Sequence, residues 1–271
     1  MSEILGKNFT WFWGVVEDIA DPLKTGRVRV RVYYWHIADK AKMPTNELPW
    51  AQVVMSPTNA SISGIGEAPV GLKQGSTVLG FFLDGDQAQR PIVLGSLPGI
   101  PPSLSDISVG FNDPSGTFPR YAGEPDTNRL ARNEGETLSA SKNAGRTTGV
   151  SLANSDESWD EPPSSYAATY PNNKVFESEA GHVIEVDDTA GASRIHEYHK
   201  AGTFYEIDET GNKVTRIVGN NYEIVAGNDY VNIKGTCNIT IDGNATTKVA
   251  GDWNIECGGN FKVVADRIDL N

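Results

Sequence analysis

Seven glycines stand at strict eight-residue intervals in the last quarter of this 271-residue chain: Gly211, Gly219, Gly227, Gly235, Gly243, Gly251 and Gly259. Each of the last six is followed by Asn, Thr or Asp (Asn220, Asn228, Thr236, Asn244, Asp252, Asn260). Two positions before the same six lie Ile217, Val225, Ile233, Ile241, Val249 and Cys257, all apolar. A fixed period of this kind marks a repeat architecture. Eight is even and strand side chains alternate with period two, so each residue returns to the same face in every repeat. A helix advances about 100° per residue and would turn its apolar stripe by about 80° per repeat, never facing one core. Val, Ile, Thr and Tyr are frequent, and no proline follows Pro171, as strands require. Glycine followed by Asn or Asp predicts turns, because these residues tolerate left-handed backbone angles.

One octad holds a strand of about five residues and a turn. If one chain supplied all three sides of a triangular coil, seven glycines would give barely two turns. Three chains supplying one side each complete every layer. The expected fold is all-β and ends in an intertwined homotrimeric β-prism, a triple-stranded β-helix. Its trimer core is assigned to Ile217, Val225, Ile233, Ile241 and Val249, with Val231, Ile239, Ile255 and Val263 four residues after their glycines. Asn232, Lys234, Thr240, Asp242, Lys248 and Glu256 hold the outer face, while Glu223 and Thr247 break the parity. A flat antiparallel meander is the alternative, though meanders seldom keep so strict a glycine period.

The formal charge of −12 argues against nucleic-acid binding. No apolar run approaches the ~20 residues that span a bilayer, and residues 1–10 do not read as a cleavable signal peptide. Cys237 and Cys257 have opposite offsets from the glycines, so they are expected reduced and buried rather than bridged.

The first hundred residues predict a five-stranded barrel of OB type. Its strands are expected at Trp11-Phe12-Trp13-Gly14-Val15-Val16, Arg27-Val28-Arg29-Val30-Arg31-Val32, Trp50-Ala51-Gln52-Val53-Val54-Met55, Thr77-Val78-Leu79-Gly80-Phe81-Phe82-Leu83 and Pro91-Ile92-Val93-Leu94-Gly95. Residues 101–175 hold eight of the fifteen prolines and predict a linker that wraps on other surfaces or stays mobile. Strand patterns return over residues 182–187, 194–199 and 203–207. The expected domains are therefore 1–100, 101–175 and 176–271.

In that order, Gly14-Val15-Val16-Glu17-Asp18, Asp21-Pro22-Leu23-Lys24, Gly26-Arg27-Val28-Arg29-Val30-Arg31, Leu48-Pro49-Trp50, Ser63-Gly64-Ile65-Gly66 and Ile92-Val93-Leu94-Gly95 resemble the N-terminal barrel of the central spike family of contractile phage tail baseplates. Asp113-Pro114-Ser115-Gly116-Thr117-Phe118-Pro119-Arg120 is similar to the start of that family's linker. Gly181-His182-Val183-Ile184-Glu185 and Lys200-Ala201-Gly202-Thr203-Phe204 also resemble type VI secretion spikes. The resemblance implies a virion protein of the tail baseplate. It implies a barrel docked on a trimeric hub, a needle that pierces the host envelope, and a small conical tip protein of PAAR type. Asp266, Arg267, Ile268, Asp269, Leu270 and Asn271 are expected to meet that tip. The family's T4 type carries a lysozyme domain between barrel and needle; here only the linker occupies that space.

No catalytic residue, metal or cofactor is expected. Glu134-Gly135 resembles a lysozyme helix start, yet nothing downstream supplies the second carboxylate a glycosidase needs. His196 and His199 are three apart on a strand and so face opposite ways, which suits stacked or surface roles better than a shared metal. Some related spikes bind a metal through a His-X-His near the tip; Asp266-Arg267-Ile268-Asp269-Leu270-Asn271 has no such motif. Arg27, Arg29 and Arg31 share a strand near Tyr33 and Trp35 and would fit a basic nucleic-acid face, but the acidic whole favours protein contacts. The favoured function is mechanical: a piercing spike without lysozyme activity. The rivals are a spike with residual peptidoglycan hydrolysis and a secretion-type spike that delivers effectors.

Overall fold

The structure, a computed structural model, describes residues 10–100, 125–134, 143, 145–153 and 155–269. They fall into two compact units, Met1–Ala144 with Ser164–Asn220, and Gly145–Pro163 with Asn221–Asn271.

The first unit opens with a closed barrel of five strands: β1 (Thr10–Asp18), β2 (Val28–Val32), β3 (Trp50–Val53), β4 (Thr77–Phe82) and β5 (Pro91–Ser96), in the order β1-β2-β3-β5-β4. Strict alternation builds it. Phe12, Val16, Val28, Val30, Val32, Ala51, Val78, Phe82 and Val93 all point inward and form one core. Gly80 is required where β4 crowds its neighbours, because a Cβ there would strike the Ile92 carbonyl and the Phe12 ring. Part of the opposite face of β1, β4 and β5 is uncharged. Trp11 lies opposite Phe81, Trp13 opposite Leu79, and Phe81 opposite Ile92, so their side chains line the outer wall.

A five-stranded antiparallel sheet follows: β8 (Asn173–Glu177), β9 (Val183–Asp187), β10 (Arg194–Tyr198), β11 (Phe204–Ile207) and β12 (Lys213–Arg216), each paired with the next in sequence. β8 runs across the boundary expected at residue 175. Three of its hairpins share one loop. Gly181, Gly202 and Gly211 each donate N–H to the carbonyl three residues back, at φ of +85°, +100° and +84°. That is a turn closed by a left-handed glycine. Gly211 is thus a hairpin glycine rather than the first of the ladder. Parts of the stretch expected as linker hold to the sheet: Leu130, Ala131 and Ala168 are buried, and the Tyr166 hydroxyl donates to the Leu130 carbonyl at 3.0 Å. The motif at residues 113–120 lies outside the described residues.

In the second unit, β6 (Val150–Ser151) and β7 (Ser158–Trp159) form a short hairpin. Among the described residues, no strand and no backbone–backbone hydrogen bond falls beyond Arg216. The octads form no strand ladder, although the Thr240 hydroxyl donates to the Ser151 carbonyl at 3.1 Å. The period is nevertheless written in the backbone, which bends at residues 218–219, 226–227, 234–235, 242–243, 250–251 and 258–259.

Candidate functional site

Every described residue beyond Val218 is exposed. The expected core positions are therefore open in the single chain, from Ile217, Val225, Ile233, Ile241 and Val249 to Val231, Ile239, Ile255 and Val263. So are Cys237 and Cys257, unbridged and exposed instead of buried. The glycines differ from expectation in their cause. None of Gly219, Gly227, Gly235, Gly243, Gly251 and Gly259 sits at positive φ, and a Cβ built on any of them meets open space. Left-handed turn chemistry therefore does not explain them, and neither does crowding within the chain. At the far end, Arg267 Nε donates to Asp269 Oδ1 at 2.8 Å, both exposed beside Asp266 and Ile268. Leu270 and Asn271 lie outside the described residues.

The sheet that leads into the ladder is inverted. Its covered face carries charge: Glu185, Asp187, Arg194, His196 and Glu206 are all buried. Its other face exposes Phe176, Ile184, Val186 and Ile195. Strand register makes this possible, since Asp187 lies opposite Arg194, Glu185 opposite His196, and His196 opposite Glu206. Arg194 pairs with Glu185 and, at 3.0 Å, with Glu206, and lies over the Tyr166 ring. His196 Nδ1 meets Glu185 Oε1 at 2.7 Å. Burial alone would raise the Glu185 carboxyl; the His196 bond, Arg194 and Asn173 outweigh it and hold it below the usual range. Ser165 N–H and the Ser164 hydroxyl close the far side on Glu206, at 2.9 and 3.0 Å. His196 is thus buried rather than on the surface. His199 lies against His182, ring centroids 4.5 Å apart and planes tilted by 49°.

The barrel arginines do not form a basic face either. Arg27 donates to Asp21 through Nε and Nη2, and Arg27 beside it holds the Asp21 carboxyl well below the ordinary range. Arg29 lies over the Trp50 ring and donates to the Thr45 carbonyl. Arg31 is buried and clasps Glu17 with two bonds of 2.7 and 3.0 Å while donating to the Ile37 and Met43 carbonyls. The loop over residues 37–45 covers what alternation alone leaves outside.

Glu17 gives the barrel an acid limit. Burial would raise its pKa, but Arg31, Thr45 and Lys40 lower it from 4.5 to about 2. A depressed folded pKa stabilises above the unfolded value and is lost as pH falls through the folded one. The contribution is therefore full above about pH 5 and fades towards pH 2. Glu17→Gln is expected to cost about 3 kcal/mol at pH 7 and to flatten the acid slope of barrel stability over that window, read by urea unfolding at several pH values. An unchanged slope would sink the assignment.

Glu134 is engaged too: it pairs with Arg132 at 2.6 Å, and Gly135 lies outside the described residues. The comparisons agree with the barrel and its continuation. Residues 35–175 match the family model "Gp5 N-terminal OB domain", a range that starts after β2 and runs past β5. Protein Gp5 of Vibrio phage KVP40 is 43% identical over 249 residues, covering 79% of this chain and 59% of that protein. The pre-baseplate central spike protein Gp5 of Enterobacteria phage T4 is 44% identical over 133 residues, covering 47% of this chain and 23% of that protein. The chain thus spans about three-fifths of the first relative's length and about a quarter of the second's. A closed OB barrel, a match across half the chain and two phage Gp5 relatives converge: this chain belongs to the Gp5 family of phage baseplate central spike proteins.

Proposed function

We propose that three copies of this chain wind residues 217–269 into one needle on the axis of a phage baseplate, and that the needle is a mechanical piercing device. The observation that carries this is the ladder. Its glycines recur every eight residues without any reason inside their own chain, and its aliphatic side chains stand open. Close approach by other copies accounts for both. Backbone N–H and C=O groups must be paired when buried, and three octad strands per layer supply the partners. Apolar surface on this scale marks an interface rather than a solvent face.

The barrel docks on a trimeric hub, and residues 266–271 receive a small tip protein. Contraction elsewhere in the tail supplies the energy, the rod transmits it to the host envelope, and no peptidoglycan is cut. The pairing of Glu134 with Arg132 supports the non-enzymatic part. Mass measured in buffer and in SDS tests the assembly: a trimer that persists in SDS at room temperature is expected, and a folded single chain in dilute buffer would overturn it. A turbidity assay on peptidoglycan is expected to show no clearing.

A further inference from the structure

In the second unit, the short hairpin of β6 and β7 and the octads belong to one compact body. The hairpin closes itself well. Leu152 N–H donates to the Glu157 carbonyl at 3.0 Å, and Glu161 N–H to the Thr147 carbonyl at 2.8 Å. Arg146 Nε donates to the Glu161 carbonyl at 2.8 Å, and Gly149 N–H to Asp160 Oδ1 at 2.7 Å. Even so, a lone two-stranded hairpin is marginal in water and needs a surface to lie on. Its register supplies a contact for one. Val150 lies opposite Trp159 and Ser151 opposite Ser158. Bonded and non-bonded pairs alternate along antiparallel strands, so the bond at Leu152 turns the Ser151 carbonyl to the outer edge of β6. There it accepts the Thr240 hydroxyl at 3.1 Å, across 89 residues of sequence.

We propose that the β6–β7 hairpin is a clasp that seats on the octads at Thr240 of its own chain and so straps residues 145–163 along them. The seat is specific to one repeat. Thr240 stands five residues after Gly235; the equivalent positions hold Ile224, Asn232, Lys248, Glu256 and Val264, none with a hydroxyl. A glycine-rich repeat is weakly specified against sliding by a whole unit, and a clasp that recognises one octad breaks that degeneracy. Thr240 also belongs to the face assigned to solvent, so the clasp leaves Ile233, Ile239 and Ile241 free to meet other copies. Charge favours the same seat. The hairpin segment carries Asp156, Glu157, Asp160 and Glu161 against Arg146, while Lys234 and Lys248 flank Thr240 on that face with Asp242 between them. Such charges steer a contact more than they stabilise it. In a three-chain needle the clasps form a collar of three; that count rests on the needle proposed above, whereas the grip itself does not.

The test uses the full chain. With Cys237→Ser and Cys257→Ser in place, Ser151→Cys and Thr240→Cys are treated with a short bismaleimide and the product is mapped by peptide mass. A link within one chain is expected. The pairing one repeat earlier, Ser151→Cys with Asn232→Cys, is expected to link at least ~10-fold less, because the hairpin is not held there. In the otherwise native chain, Thr240→Val keeps the shape and removes the hydroxyl. Trypsin is then expected to cut after Arg146 about 3-fold faster, the effect of losing one neutral hydrogen bond. No link, equal linking at position 232, or links only between chains would overturn the clasp. So would a parent-like cutting rate in Thr240→Val, which decides alone if the cysteine variants do not fold. Sedimentation of the linked protein tells the two proposals apart: single chains that link at position 240 keep the clasp and remove the needle, and trimers without the link do the reverse.

Discussion

On the proposed three-chain needle, Ile233→Asp is expected to abolish assembly, leaving single chains in place of trimers. In a three-chain needle the substitution places three carboxylates in one apolar layer. Each would be desolvated without a counter-charge, at a cost of several kcal/mol per group, and no neighbouring layer can relax independently because the rod is continuous. Asn232→Asp is the control. It adds the same charge one position away, on the face assigned to solvent, and should assemble normally. Sedimentation at micromolar concentration separates the outcomes. A parent-like trimer from Ile233→Asp would remove that position from the core, and failure of both variants would show that charge alone disrupts the ladder.

Arg194→Leu is expected to lower the stability of the inverted sheet by about 3–5 kcal/mol, the usual cost of stripping the counter-charge from a buried ionic group. Arg194 is the cation shared by Glu185 and Glu206, with Asp187 also buried beside it. Without it, Glu185, Asp187 and Glu206 remain in one covered patch stripped of their shared cation. Urea unfolding at pH 7 reads the loss. Adding Glu206→Leu to the Arg194→Leu variant should recover part of it, because one orphaned charge is removed together with its desolvation. A single variant within about 1 kcal/mol of the parent would mean that the cluster is solvated and unimportant.

The barrel was legible because alternation is a local signal. Val28, Val30 and Val32 point one way whatever lies elsewhere, and the five expected strands match β1 to β5 within a few residues. The role of Arg31 was hidden because its cover comes from residues 37–45, and no periodicity in β2 foretells a loop folding back over it. The inverted sheet was hidden for a related reason. Glu185, His196 and Glu206 look like outer-face residues singly, and only their register against Arg194 makes burial tolerable. Opposite charges on successive predicted strands were the available signal. In the ladder the period was plain, yet the cause of the glycines was not, since neither their φ nor their in-chain surroundings require them. β8 was missed because Asn173-Lys174-Val175-Phe176-Glu177 is short and follows a proline-rich stretch.

The repeated hairpin loop has a kinetic consequence. Each pair from β8 to β12 joins neighbours in sequence, so closing each loop costs little entropy and the sheet has low contact order. It can form in an isolated polypeptide at a rate independent of concentration. In the proposed needle the octads cannot, because their partners arrive only by collision. There the meander is a folded starter block from which three strands can begin winding in step, before a mismatched register has time to set.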